Sequence, residues 1–84
     1  MATTFEIEIA TPEKLVVKRA AESAQMPGKD GYFGILPGHA ALLSELGDGT
    51  LTIESSSGVE NFHVIGGYVE VRDDHVRVAA DRVE

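Results

Sequence analysis

Apolar and polar residues alternate strictly along several stretches of this chain. Phe5, Ile7 and Ile9 are separated by Glu6 and Glu8, and Leu51 and Ile53 sit among Thr50, Thr52 and Glu54. Val69 and Val71 are interleaved with Tyr68, Glu70 and Arg72, and Val76 and Val78 with His75 and Arg77. A period of two puts the apolar set on one face, so each stretch is predicted to be a strand with one buried side and one wet side. Further strands are predicted over Leu15 to Ala20 and Glu60 to Ile65. Between them stand turn signals: Thr11-Pro12-Glu13, Pro27-Gly28-Lys29-Asp30-Gly31, Gly47-Asp48-Gly49, Ser55-Ser56-Ser57-Gly58 and Asp73-Asp74. Such short gaps connect antiparallel hairpins and leave no room for crossover helices. The pattern predicts an all-β fold, an antiparallel β-sandwich or flattened barrel.

Two segments carry a mixed signal. Ala20 to Met26 and His39 to Leu46 are rich in alanine and leucine, which favours helix, and Ala40, Leu43 and Leu46 would share one helical face. Both are short and glycines bracket the second, so packing is expected to override propensity and make both strand-like. Gly66-Gly67 interrupts an otherwise continuous β run from Glu60 to Arg72. That marks a bulge, or a corner where a strand changes sheets. With no repeat, low-complexity tract or linker, residues 1–84 read as one domain.

A chain of 84 residues buries about 60 to 65% of its unfolded surface, which permits a modestly stable two-layer fold. There is no cysteine, so disulfides, thiolate metal sites and a thiol nucleophile are excluded. Seven basic and fourteen acidic residues leave a net charge of −7. That charge opposes binding to nucleic acid or an anionic membrane surface and favours a neutral or basic partner. No apolar run is long enough to span a bilayer, and Met1 to Ile9 holds two glutamates and no base, unlike a signal peptide.

The densest local signal is Gly31 to Leu43, GYFGILPGHAALL. Gly28, Gly31, Gly34 and Gly38 specify backbone geometry, and Pro37-Gly38 has the composition of a tight turn. The spacing lacks the Gly-Lys-Ser/Thr of a phosphate-binding loop and has no following helix to assist. His39, His63 and His75 do not lie at spacings that put two metal ligands on one face. Ser44 is five residues from His39 without a nucleophile elbow, and Ser55, Ser56 and Ser57 are turn residues. His39 therefore reads as a turn histidine bonded to a nearby carbonyl or as a contact residue. Tyr32, Phe33, Ile35, Leu36, Leu42 and Leu43 exceed what one short strand buries on a single face. Phe33, Ile35 and Leu42 are expected in the core, leaving the others for a partner.

GYFGILPGHAALL, TPEKLV at Thr11 to Val16 and GGYVEVRDDHVRVAAD at Gly66 to Asp81 together resemble the epsilon subunit of rotary ATP synthases, called delta in mitochondria. The likeness is to its N-terminal domain and runs from about Phe5 to Asp81 in the family's order. It implies a β-sandwich of about ten short strands in the central stalk, a non-catalytic rotor subunit without cofactor or metal. The implied partners are the gamma subunit and the c-ring, on the cytoplasmic face of an energy-transducing membrane and without insertion into it. Carried over to matching positions, Asp30, Gly31 and Tyr32 would face the c-ring, and Gly38, His39, Ala40, Leu43 and Ser44 would face gamma. The position of Tyr32 is often acidic in the family. Asp30, two residues earlier, would lie on the same side of an extended segment and substitute for it. Family members continue into an inhibitory two-helix hairpin that residues 1–84 do not encode. If Glu84 is the native terminus, the resemblance implies coupling without a helical brake. A free-standing β-sandwich that binds a protein or small ligand is the alternative from another class, and an enzyme with a pocket near His39 is the third.

Overall fold

The computed structural model describes residues 3–84; Met1 and Ala2, which open the stretch read as unlike a signal peptide, lie outside the described residues. Eight strands form among the described residues: β1 Phe5–Ala10, β2 Leu15–Ala21, β3 Ser23–Gly28, β4 Gly31–Ile35, β5 Leu42–Glu45, β6 Asp48–Ser55, β7 Gly58–Arg72 and β8 His75–Val83. Their order is β2-β1-β8-β7-β6-β3-β4, with β5 paired to β7 beside this path. The fold is all-β, as the alternation requires; the first alanine-rich segment is strand, split at Glu22 into β2 and β3, and the second is strand only over Leu42–Glu45, with His39 to Ala41 outside any element.

Two details differ from expectation. There are eight strands and not about ten, because β7 and β8 run through a corner and each lends an arm to both halves. Not every pair is antiparallel either: β1 and β8 run parallel, from Glu6 opposite His75 to Ala10 opposite Ala79. Only strands joined by hairpins must alternate direction, and the first and last strands share no connection.

The corner lies at Gly66 (φ 66°) and Gly67 (φ 113°). Val64 is buried before it and Val69 and Val71 after it, so the inward parity of β7 switches across the two glycines. Left-handed backbone at both positions makes the bend that folds the continuous sheet over itself. One apolar cluster fills the space between the halves, built from Phe5, Ile7, Ile9, Met26, Ile35, Leu51, Ile53, Val69, Val76 and Val78 among others. Ile35 is buried, and Phe33 and Leu42 pack on the rim of that cluster, as expected. Among the described residues, none of those buried is polar or charged.

The hairpin tips follow their residues. Asp73 (φ 50°) and Asp74 (φ 59°) join β7 to β8, a turn whose hand matches the twist of the strands and which Asp tolerates without glycine. Lys29 and Asp30 join β3 to β4, closing on the Gly28↔Gly31 pair.

Candidate docking surface

The outer face of the β2-β1-β8-β7-β5 half follows from strand register. Glu45 pairs Tyr68, Tyr68 pairs Ala79, Ala79 pairs Ala10 and Ala10 pairs Leu15. These residues make one row across five strands, and beyond Glu45 it is wholly apolar. Leu15 joins it only because the register slips between Ile9 and Ala10, a bulge that turns Val16 to the core and leaves Leu15 exposed. Ala10 and Ala79 form a shallow floor between Leu15, 53% exposed, and Tyr68, 54% exposed.

The neighbouring row has another character. Leu43, 70% exposed, pairs Glu70, which pairs Arg77, then Glu8, then Lys18. Arg77 Nε donates to Glu8 at 3.1 Å, and Glu6 receives Lys18 at 3.9 Å and lies 3.6 Å from His75. Exposed pairs like these add little stability, but they orient an approaching charged surface.

The residues singled out from the sequence divide into two groups. Gly38 (φ 84°) donates its N–H to Asp74 at 2.7 Å, and His39 N–H donates to the Leu36 carbonyl at 3.1 Å. The His39 ring meets the Ala40 carbonyl at 2.7 Å through Nδ1, the turn role that was one of its two readings. Gly38, His39 and Ala40 thus sit over the β7–β8 turn. Leu43 and Ser44 lie farther along β5, where they line one recess with Lys29, Asp30, Glu45 and Tyr68. Lys29 Nζ lies 3.3 Å from Glu45 there.

Asp30 and Tyr32 do not share a side of one extended segment. Asp30 occupies the turn and faces the β5 recess, whereas the Tyr32 hydroxyl accepts the Thr50 N–H at 3.0 Å, its ring lying against Gly49. The reversal of the chain between Gly28 and Gly31 separates them. Gly31 (φ 132°) opens β4 beyond that turn. The structure therefore brings Asp30 to Leu43 and Ser44, and leaves Tyr32 apart.

Sequence reasoning missed Ala10, Leu15, Tyr68 and Ala79. Tyr68 had a signal, a large apolar ring in a polar position of the alternation; the alanines had none, since only register aligns them. His39 and His75 both lie at the β7–β8 turn, whereas His63, its Nε2 2.6 Å from Asp48, lies far along β7. Among the described residues no three His, Cys, Asp or Glu converge as metal ligands. The arrangement offers a rigid face for contact.

Known proteins carry the same pattern. The ATP synthase Delta/Epsilon chain β-sandwich domain matches residues 4–84. An ATP synthase epsilon chain of Solibacter usitatus is 48% identical over 84 residues, covering 100% of this chain and 63% of the relative. That of Koribacter versatilis is also 48% identical, covering 100% and 59%. The chain thus spans about three fifths of the length of the curated relatives it matches. Among solved structures, a chain of the Euglena gracilis mitochondrial ATP synthase OSCP/F1/c-ring assembly superposes with a TM-score of 0.92 at 18% identity, covering 100% of this chain and 54% of that one. A chain of the Tetrahymena thermophila mitochondrial ATP synthase central stalk/c-ring gives 0.81 at 22% identity, covering 94% and 64%. These two report the fold. With the domain matched over nearly its whole length and close curated relatives, the chain belongs to the family of ATP synthase delta/epsilon chain β-sandwich domains.

Proposed function

We propose that this chain is a non-catalytic rotor element of a proton-translocating ATP synthase, held between the gamma subunit and the c-ring and passing torque between ring rotation and ATP synthesis. The observation that carries this reading is the Leu15–Ala10–Ala79–Tyr68 row with Leu43 beside it, an exposed apolar strip on a closely packed two-layer block. A connector under torque needs a stiff body and a broad face, and this face rests on a fully apolar core. The strip extends the gamma contact from Leu43 and Ser44 to Tyr68, Ala79, Ala10 and Leu15, while Gly38, His39 and Ala40 border it at the β7–β8 end. The Lys29–Asp30 tip with Gly31 and Tyr32 serves the c-ring. Bacterial relatives named as ATP synthase epsilon chains support a position peripheral to an energy-transducing membrane, and the reading puts the chain on the cytoplasmic face of a bacterial cell membrane.

The test is assembly. The 84-residue chain is expected to co-purify with gamma and to restore proton-coupled synthesis to a complex lacking its epsilon chain. Leu43→Asp combined with Tyr68→Asp should weaken gamma binding by about a hundredfold or more at unchanged thermal stability, since exposed aromatic and aliphatic anchors dominate such interfaces. Asp30→Lys should weaken capture by the c-ring more than binding to gamma, although Asp30 shares a recess with Leu43 and Ser44. Wild-type binding by the double variant would remove the strip from the interface, and failure to co-purify with gamma would favour a free-standing binding module.

A further inference from the structure

We propose that the free edge of β4 takes up an extended cationic segment of a partner protein as an added strand. This site is distinct from the outer face of the other half, shares Asp30, Gly31 and Tyr32 with the tip assigned above to the c-ring, and does not rest on the rotor reading.

The path of strands ends at β2 on one side and β4 on the other, and β5 beside it is closed at its Glu45 end by the Lys29 N–H at 3.0 Å and the Gly28↔Leu46 bridge. On β2, Lys18 points outward and Arg19 turns inward to Glu60, charges that resist strand addition. The β4 sequence GYFGI has no charge at all. Because the Lys29–Asp30 turn closes on Gly28↔Gly31, the doubly hydrogen-bonded pairs are Gly28 with Gly31, Met26 with Phe33 and Ala24 with Ile35. The N–H and C=O groups of Tyr32 and Gly34 therefore point away from β3. The other side of β3 obeys the same parity, with the Pro27 carbonyl accepting from Gly47 at 2.8 Å. No strand among the described residues pairs with the outer side of β4. The faces of β4 are uncrowded as well: a Cβ on Gly31 would meet nothing within 4 Å, and one on Gly34 only the Ala24 carbonyl oxygen at 3.9 Å. Phe33, half-buried on the rim of the core, would be covered by an apolar residue of an added strand.

Charge selects the occupant. Glu54 borders the surface recess that holds Gly34 and Leu36, and its carbonyl accepts the Glu22 N–H at 2.8 Å. Neither carboxylate forms an ion pair among the described residues. Asp30 stands at the opposite end of β4, and Lys29 beside it is engaged by Glu45. An apolar edge with acid at both ends fits a strand with cationic ends. A second copy would bring the same acids and a net charge of −7.

Amide exchange of the nitrogen-15-labelled chain tests this, with the capped peptide Lys-Val-Thr-Val-Thr-Val-Lys as probe. The Tyr32 and Gly34 amides are expected to exchange freely in the chain alone and to slow about tenfold or more with peptide, as newly paired edge amides do. Gly31, Phe33 and Ile35 should not change. The same peptide with Glu for Lys should have no effect, and Gly34→Pro, lacking the outward N–H, should abolish the response. If Gly34→Pro fails to fold, Glu54→Lys carries the test through a lost response to the cationic probe. Unchanged exchange at millimolar peptide, or equal slowing by the acidic peptide, would overturn the proposal. Slowing by higher chain concentration alone would assign the edge to a second copy and overturn it as well.

Discussion

Asp74 does two jobs at one turn: its backbone adopts φ 59°, and its carboxylate accepts the Gly38 N–H at 2.7 Å. Asp74→Ala should therefore lose about 1–2 kcal/mol in denaturant unfolding, from the left-handed backbone and the missing acceptor together. Asp74→Asn, which keeps both properties in part, should lose less. The glycine pair at the corner makes a second contrast. A Cβ on Gly67 would collide with the Ala79 carbonyl and come within 2.8 Å of Ala80 Cα, both backbone atoms that cannot step aside. On Gly66 the obstacle is the Asp81 carboxylate at 2.6 Å, the mobile end of an exposed side chain. Gly67→Ala should cost about 3 kcal/mol or more and Gly66→Ala clearly less; equal losses would show that conformation, not crowding, sets the penalty. At this scale composition was informative: Asp73-Asp74 was legible as a polar hairpin tip, and the His39 ring as bonded to a neighbouring carbonyl. The sides taken by Asp30 and Tyr32 were not, because they depend on where the turn closes.

Strand identity was legible from alternation, and so was the corner, since paired glycines in a β run have few other uses. What alternation left open was the face each strand presents near an irregularity. The bulge in β2 exchanges the roles of Leu15 and Val16, and the corner switches the parity of β7. Arg19 shows the same point for a charge. It falls on the inward side of β2 and reaches across the open side of the sandwich, its guanidinium 2.7 Å from Glu60 on β7, while its Nε is buried without an acceptor. Both side chains remain more than a third exposed, so solvent screens the pair and its net contribution is small. Replacing both by apolar residues, Arg19→Met with Glu60→Leu, should leave stability within about 1 kcal/mol of the parent. The same variant should aggregate faster on heating, because an inward charge at an edge strand blocks edge-to-edge pairing. A large stability loss without aggregation would make the pair a structural clasp instead.

Seen whole, the molecule is a block of 33 × 24 × 20 Å whose acidic residues outnumber its bases two to one. A net charge of −7 acts at a distance, steering encounter with a basic partner more than holding the complex together. On the rotor reading proposed above, association with gamma should slow by about an order of magnitude between low and high salt, with a smaller change in dissociation. Stopped-flow mixing over a salt series measures this, and a rate independent of salt would leave the charge to solubility alone. The docking strip belongs to this scale as well, since its residues come from β1, β2, β5, β7 and β8.

The chain's own residues determined the class of fold, most strand positions, the hairpin tips and the family likeness, because each is written in local periodicity, turn chemistry or contiguous motifs. Tertiary structure alone decided the parallel pairing of β1 with β8, the sharing of β7 and β8 between both halves, and the alignment of Ala10 and Ala79 between Leu15 and Tyr68. Those features are set by register between strands distant in sequence, where a shift of one residue turns every side chain to the other face. Local pattern marks which residues can face solvent together; only long-range pairing selects those that do.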